Sequence, residues 1–290
     1  MLRQRVLSAI VIVIVAVVPG VLGHPLLTVG LIALAGIGIT ELSRATSAIN
    51  VSLLKWPAII IVSTLIALAG FDAGPVLLLA TILLGSLAFL VLIMIRGSVS
   101  GATRDYAFSI AAVVYVGLPL AHMPLIRNHG DDDTAGWLQS VNDLALVSLP
   151  AAGLGWLVLV VASTWMTDSA AYLGGRAFGA NKLAPSLSPA KTIEGALSGV
   201  IAGALTGALV TVLLGLPVPA YVGAVIGLLI SSIGQAGDLA ESMIKRDIGI
   251  KDMGDLIPGH GGILDRIDAL LFTLPAGYYL ILLATEVHWP

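Results

Sequence analysis

The sequence predicts an all-α integral membrane protein, built as a polytopic bundle of about nine transmembrane helices. Of its 290 residues, 58% are hydrophobic and only 11% are charged, whereas soluble domains carry about 25% charged residues. The mean hydropathy is +1.02, and apolar runs recur along the whole chain. These observations exclude a soluble enzyme, and they exclude a disordered chain because disorder requires low hydrophobicity and high charge.

Each predicted helix is a stretch without Asp, Glu, Lys or Arg that approaches the ~20 residues needed to cross a bilayer. In chain order the stretches are Val6–Leu22, Pro25–Thr40, Trp56–Phe71, Gly74–Ile95, Tyr106–Ile126, Leu144–Thr167, Ala196–Leu216, Pro219–Gly237 and Ala269–Thr285. The second and third, at 16 residues each, are marginal.

The positions of the basic residues predict the orientation, because short cytoplasmic loops collect Lys and Arg. With nine helices and a cytoplasmic N-terminus, thirteen of the fourteen basic residues lie on the inner side. Only Arg127, near the acidic run 131–133, lies outside. We therefore expect a multi-pass protein of the cell membrane whose C-terminus lies outside. The net charge of −3 gives no indication of a nucleic-acid partner.

Glycine recurs every fourth residue in the seventh stretch, at Gly195, Gly199, Gly203 and Gly207. Such spacing makes a flat ridge against which another helix packs closely. We interpret the ridge as a packing device.

The charges concentrate near the C-terminus, where residues 238–268 hold 11 of the 31 charges. If the eighth helix continues past Gly237, Asp238, Ser242 and Lys245 share one of its faces. The sequence therefore predicts a polar stripe that extends a membrane helix.

Asp265 and Asp268 lie three residues apart at the start of the ninth helix and should share a face. Such a pair suits Mg²⁺, which proteins hold with one or two carboxylates plus substrate phosphates and water. The alternative is a solvated helix start, where the helix dipole favours acidic residues.

The loop 258–262 leads directly into this helix start and contains His260, Gly261 and Gly262. Free backbone N–H groups and the helix dipole favour phosphate at such a position, although His260 could instead serve only to cap the turn. Four cations occupy the same region: Lys245, Arg246, Lys251 and Arg266. Anion-binding groups beside a metal site fit phosphoryl chemistry.

A second polar patch, residues 167–195, follows the sixth stretch, whose helix we expect to end at Asp168. Ser188 and Pro189 have the residue types of a helix N-cap and first helical position. Three further polar residues follow them: Lys191, Thr192 and Glu194. This patch is either a second phosphate-binding helix start on the inner face or only a capped helix.

The run from Ser242 to Asp268 resembles the long signature of the phosphatidate cytidylyltransferase family. Its matching positions are Ser242, Lys245, Arg246, Lys251, Asp252, Gly254, His260, Gly261, Gly262, Asp265, Arg266 and Asp268. Residues 188–195, SPAKTIEG, are similar to a second block of that family, with Ala190 in place of the first of two lysines.

The resemblance implies a multi-helix membrane enzyme, usually homodimeric, that converts CTP and phosphatidic acid to CDP-diacylglycerol and pyrophosphate with Mg²⁺. It implies a metal centre at Asp265 and Asp268, with Asp238 and Lys245 close by and a potassium-like second cation possible. On this interpretation, residues 1–143 are a scaffold of five helices. Residues 144–290 are then the catalytic region, with cytoplasmic loops 168–195 and 238–268.

A lipid substrate requires a site that opens both to the bilayer and to water, because each buried CH₂ group retains the lipid by ~0.8 kcal/mol. We therefore expect an active-site funnel between the helices on the cytoplasmic side. Two alternatives stay open: a CTP-dependent kinase of a polyprenol-type lipid, and an ion-coupled transporter. The clustering of charge at one surface argues against the transporter.

Overall fold

The computed structural model describes residues 17–97, 99–256, 261–287 and 289, and most of these are helical. Residues 17–22 are helical and precede the first element named below. In chain order the elements are α1 (Leu26–Ser47), α2 (Lys55–Gly70), α3 (Pro75–Arg96), α4 (Ala102–Ala112), a π-helical turn (Val113–Gly117), α5 (Leu118–Arg127), α6 (Gly136–Asn142), α7 (Ala151–Phe178), β1 (Lys182–Ala184), β2 (Ser188–Thr192), α8 (Ile193–Leu214), α9 (Ala220–Ile248) and α10 (Leu264–Thr285).

The all-α membrane class is confirmed, and helices are expected because a backbone in lipid must satisfy its own hydrogen bonds. Within the described part of the chain, seven spans are long and apolar enough to cross a membrane: α1, α3, the continuous rod from α4 to α5, α7, α8, α9 and α10. The predicted count of nine is not confirmed. Helix α2 has only 16 residues, and most of Val6–Leu22 lies outside the described residues.

The predicted limits of the sixth helix, Leu144–Thr167, are wrong. Pro150 precedes the first turn of α7, and the helix continues to Phe178. Asp168 therefore lies inside a helix rather than at its end. The prediction failed because it treated a charged residue as the limit of a span, whereas α7 continues past Asp168 into the polar end of the bundle.

The predicted helix start at Ser188 and Pro189 is also wrong, because these residues belong to strand β2. The strand pairs with β1 in an antiparallel hairpin that sets Lys182 opposite Thr192. Thr192 takes the capping role, since its Oγ1 accepts a hydrogen bond from the Gly195 amide at 3.2 Å. Lys191 therefore projects from a strand that leads into α8.

The glycine ridge of α8 is confirmed as a packing device, with all four glycines buried. A Cβ on Gly199 would lie 2.9 Å from the Thr167 carbonyl oxygen of α7, and one on Gly207 would collide with the Gly223 carbonyl oxygen of α9. The ridge thus lets α8 approach α7 at one end and α9 at the other. This close packing fixes the helices that carry the polar residues.

We expect Gly207→Leu to destabilise the protein by roughly 1–3 kcal/mol or more, because the side chain overlaps the α9 backbone. The measurement is the melting temperature of detergent-purified protein. Gly30→Leu is the matched control, since Gly30 lies on α1 and a Cβ added there would have nothing within 4 Å. Equal melting temperatures for the two variants would contradict this account of the ridge.

Arg127, predicted as the one basic residue on the outer side, is fully buried. Its guanidinium donates to the carbonyl oxygens of Gly20 and Pro150, each at 3.0 Å, and to Asn142 Oδ1 at 2.6 Å. A buried charge requires such partners. Arg127 therefore joins three segments of the chain at the end of the bundle where α5 ends and α7 begins.

The opposite end of the bundle gathers the polar elements. The C-terminal turns of α7 and α9, the hairpin and the first turn of α10 meet there. The α1–α2 connection also contacts the first turn of α4, because Asp105 accepts a hydrogen bond from the Ser52 amide at 2.7 Å. Asp105 also lies 3.5 Å from Arg96 at the end of α3.

Candidate active site

Helix α9 carries the polar stripe that the sequence predicted, because it continues past Gly237 to Ile248. Lys245 lies at the centre of the site. Its ammonium is 2.8 Å from Asp265 Oδ1 and 3.3 Å from Glu241 Oε2. The cation thus pairs with one acid of its own helix and one of α10.

Asp265 connects this lysine to the loop before α10. Its Oδ2 accepts hydrogen bonds from the Met253 and Gly262 amides, each at 2.8 Å. Three donors therefore hold one buried carboxylate. Because charge-assisted hydrogen bonds are stronger than neutral ones, Asp265 fixes both the loop and the position of Lys245.

The turn at Gly261 and Gly262 lies beside these acids, and Gly261 has a φ of +83°. The amides that follow, Ile263 and Leu264, donate to the carboxylate of Glu41 on α1. The amides of Gly262, Ile263 and Leu264, predicted as donors to phosphate, therefore all donate to carboxylates of the protein instead. His260, the other residue predicted here, lies outside the described residues.

The hairpin joins the site through Lys191, whose ammonium lies 2.6 Å from Asp238 Oδ2 on α9. Asp168 on α7 is within electrostatic range of Asp238, Asp268, Lys191 and Arg266. The two polar patches predicted from separate parts of the sequence therefore form one cluster. Acids from α7, α9 and α10 converge in it.

The cluster has a buried floor and an exposed rim. The Glu241 side chain is fully buried and that of Asp265 is 2% exposed, whereas Asp168 and Arg266 are exposed. Such a gradient lets a polar group enter from the rim and meet the lysine below.

Sequence reasoning missed two groups at the floor. Neither carboxylate oxygen of Glu241 accepts a hydrogen bond from any described residue, and the same holds for the buried hydroxyl of Tyr115. Tyr115 lies on the π-helical turn, within electrostatic range of Glu241 and three aspartates. The signal for Glu241 was its spacing, three residues after Asp238 and four before Lys245. For Tyr115 the apolar stretch around it gave none.

Several predicted residues contact other groups instead. Glu194 accepts hydrogen bonds from the Ala180 and Asn181 amides at 3.1–3.2 Å. Arg246 donates to the carbonyl oxygens of Leu187 and Ile250. The remaining predicted residues are Ser188 in β2, Thr192 at the α8 cap, buried Ser242, exposed Lys251, and exposed Asp252, which lies beside the Gly261 turn.

No three His, Cys, Asp or Glu side chains form a ready-made metal cluster within the described ranges. The donor chemistry nevertheless fits a hard cation that is completed by substrate phosphates, since Mg²⁺ needs only one or two protein carboxylates. The observation that supports this fit is an excess of carboxylates: buried Glu241 accepts no hydrogen bond from the described residues and shares its ion-pair partner Lys245 with Asp265, while Asp268 lies within electrostatic range of it.

Comparison with known proteins gives a consistent result. The sequence model of the Cytidylyltransferase family matches residues 3–284. A phosphatidate cytidylyltransferase of Staphylococcus saprophyticus is 30% identical over 94% of this chain and 96% of its own length.

Two further relatives with the same name match over shorter regions. The Bacillus subtilis protein is 34% identical over 62% of this chain and 59% of its own length. The Synechocystis protein is 42% identical over 47% of this chain and 46% of its own length. These two alignments span about half of the relatives they match.

Proposed function

We propose that this chain, which belongs to the cytidylyltransferase family, is a phosphatidate cytidylyltransferase that transfers CMP from CTP to phosphatidic acid. The observation that carries the proposal is the convergence of the two polar patches. Lys191 pairs with Asp238, and Lys245 pairs with Asp265. A site at the end of a membrane bundle, where two lysines each pair with an aspartate, suits two phosphate-bearing substrates, of which phosphatidate stays in the lipid.

The reaction we propose is an in-line displacement. A phosphate oxygen of phosphatidate forms a bond to the α-phosphorus of CTP, while the bond from that phosphorus to the bridging oxygen breaks and pyrophosphate leaves. A phosphate monoester has a second pKa of about 6 and is largely dianionic at neutral pH, so the attack needs little help from a general base. The main obstacle is repulsion between two anions.

The cations of the site would reduce that repulsion. Lys245, Lys191 and Arg266 would offset phosphate charge, with Asp265 holding Lys245 in place. Asp238 and Asp268 would hold Mg²⁺, which supplies charge neutralisation at the triphosphate. Asp265 as a further metal ligand stays a prediction. Both of its oxygens already accept hydrogen bonds, so a metal would have to compete with these donors. We propose that the turn of His260, Gly261 and Gly262 steadies the leaving pyrophosphate through groups other than the Gly262 amide, which already donates to Asp265.

We further propose that the site faces the cytoplasm, with a cytoplasmic N-terminus and a funnel that opens to the inner leaflet. The one-sided placement of the basic residues supports this orientation. A homodimer also stays a prediction, which light scattering of the purified protein would test.

The test is a product assay with α-labelled CTP, phosphatidate and Mg²⁺. We expect label in CDP-diacylglycerol and release of pyrophosphate, and complete loss of both when EDTA removes the metal. A lipid kinase would instead give labelled CDP and a phosphorylated lipid, and a transporter would move its substrate without chemical change. Synthesis of the liponucleotide that persists in EDTA would contradict the metal requirement.

A further inference from the structure

Glu41 of α1 caps a helix that lies more than 220 residues further along the chain. Its side chain is buried, and the whole residue is 4% exposed. Oε1 accepts the Ile263 amide at 2.9 Å and Oε2 accepts the Leu264 amide at 3.0 Å. The first amides of a helix have no partner within it, and no side chain of α10's own N-cap residue bonds to them. A distant helix therefore supplies the cap.

Two glycines leave the space that this carboxylate fills. A Cβ on Gly254 would lie 2.6 Å from Glu41 Oε1, and a Cβ on Gly262 would lie 2.6 Å from Oε2. The loop before α10 and the turn into α10 thus close on Glu41 from two sides. Side chains larger than hydrogen at these positions would displace the carboxylate.

The capped turn is the one that carries the site's acids. The Gly262 amide donates to Asp265, and the next two amides donate to Glu41. Consecutive backbone groups are therefore divided between an acid of α10 and an acid of α1. The negative charge also lies at the positive end of the α10 dipole, where it is stabilising. An ionisable residue inside a membrane segment generally has a functional reason.

We propose that Glu41 is a positioning residue, which holds the first turn of α10 so that Asp265 and Asp268 face Lys245 and the substrates. Helix α1, in the half interpreted from sequence as a scaffold, is then part of the catalytic unit. The kinetic consequence depends on the proposed function, whereas the structural consequence does not. A displacement of about 1 Å at reacting groups can cost about 10²-fold in rate.

The first experiment compares Glu41→Gln with two controls in detergent-purified full-length protein. An amide side chain presents an NH₂ group to one of the two backbone N–H donors, so one hydrogen bond is lost. We expect hydrogen exchange at residues 263 and 264 to accelerate about tenfold or more. We also expect kcat to fall about tenfold or more, with the KM for phosphatidate changed less than about threefold.

The controls separate positioning from general stability. Leu31→Ala removes a buried side chain of the same helix, so it should lower the melting temperature without changing exchange at residues 263 and 264 or kcat per folded molecule. Glu286→Gln makes the same chemical change at the exposed far end of α10 and should resemble the wild type. A folded Glu41→Gln protein with wild-type exchange, or with wild-type kcat, would overturn the proposal. If the wild type makes no CDP-diacylglycerol, the proposed function fails while the exchange measurement still tests the cap.

A second experiment applies if Glu41→Gln does not fold. Gly254→Ala should lower turnover because its methyl group displaces the Glu41 carboxylate. Glu41→Asp withdraws that carboxylate by one methylene, so the double variant Gly254→Ala/Glu41→Asp should be more active than Gly254→Ala alone. A double variant that is as impaired as the single, or more so, would show that the two residues do not act on one another and would overturn the proposal.

Discussion

Asp265→Asn should reduce CDP-diacylglycerol formation by about 10³-fold or more. The carboxylate accepts hydrogen bonds from Lys245 and two backbone amides, and an asparagine in its place loses the charge and turns an NH₂ group toward one of these donors. Lys245 and the loop before α10 then both lose their anchor. Preorganised polar groups at a reacting centre are each worth about 10²–10³-fold. The measurement is turnover of purified protein with saturating CTP and phosphatidate.

The matched control for this variant is Asp247→Asn. Asp247 is exposed on α9, two residues after Lys245, and the same chemical change there should leave turnover within about twofold of the wild type. Surface substitutions of this kind usually change stability by less than about 0.5 kcal/mol. Near-wild-type turnover of Asp265→Asn would remove this aspartate from the reaction site.

Lys245→Met should lower turnover by about 10²-fold or more and also destabilise the fold. Methionine keeps much of the side-chain volume and removes the charge, so Glu241 and Asp265 remain as neighbouring buried acids without their shared cation. Removing one partner of a buried ion pair typically costs about 3–5 kcal/mol. Turnover per folded molecule and the melting temperature measure the two effects separately.

Lys182→Met is the control for the lysine, because Lys182 is exposed on β1 of the hairpin. It should leave both turnover and melting temperature close to those of the wild type. If Lys245→Met retained wild-type kinetics, the lysine would have only a structural role and the assignment of phosphate binding to this cation would fail.

The membrane class, the glycine ridge and the continuation of α9 could be predicted because each depends on a local pattern. Apolar length predicts a span, spacing of four predicts a ridge, and spacing of three or four predicts a shared helix face. The chemistry of the two polar patches could also be predicted from residue type. Their union through Lys191 and Asp238 could not be derived from spacing, because it depends on how α8 packs against its neighbours.

The two errors in helix limits share one physical cause, which is that charge was taken to mark the end of a membrane segment, whereas the helix start wrongly predicted at Ser188 came from residue types that also occur in strands. The second predicted stretch stopped at Thr40 because Glu41 follows, yet α1 continues to Ser47 with that carboxylate buried. The same reasoning ended the sixth helix before Asp168. A charged side chain can lie inside a span when another segment supplies its partners, and no local pattern identifies a partner 222 residues away.

The bond between α1 and the first turn of α10 has a consequence for biosynthesis. The ribosome makes the acceptor more than 220 residues before it makes the donors. Until α10 has been inserted, the nascent protein holds an acidic group in α1 without these amides. Assembly of the candidate site therefore waits for α10 during co-translational folding, and a chain truncated before α10 lacks it.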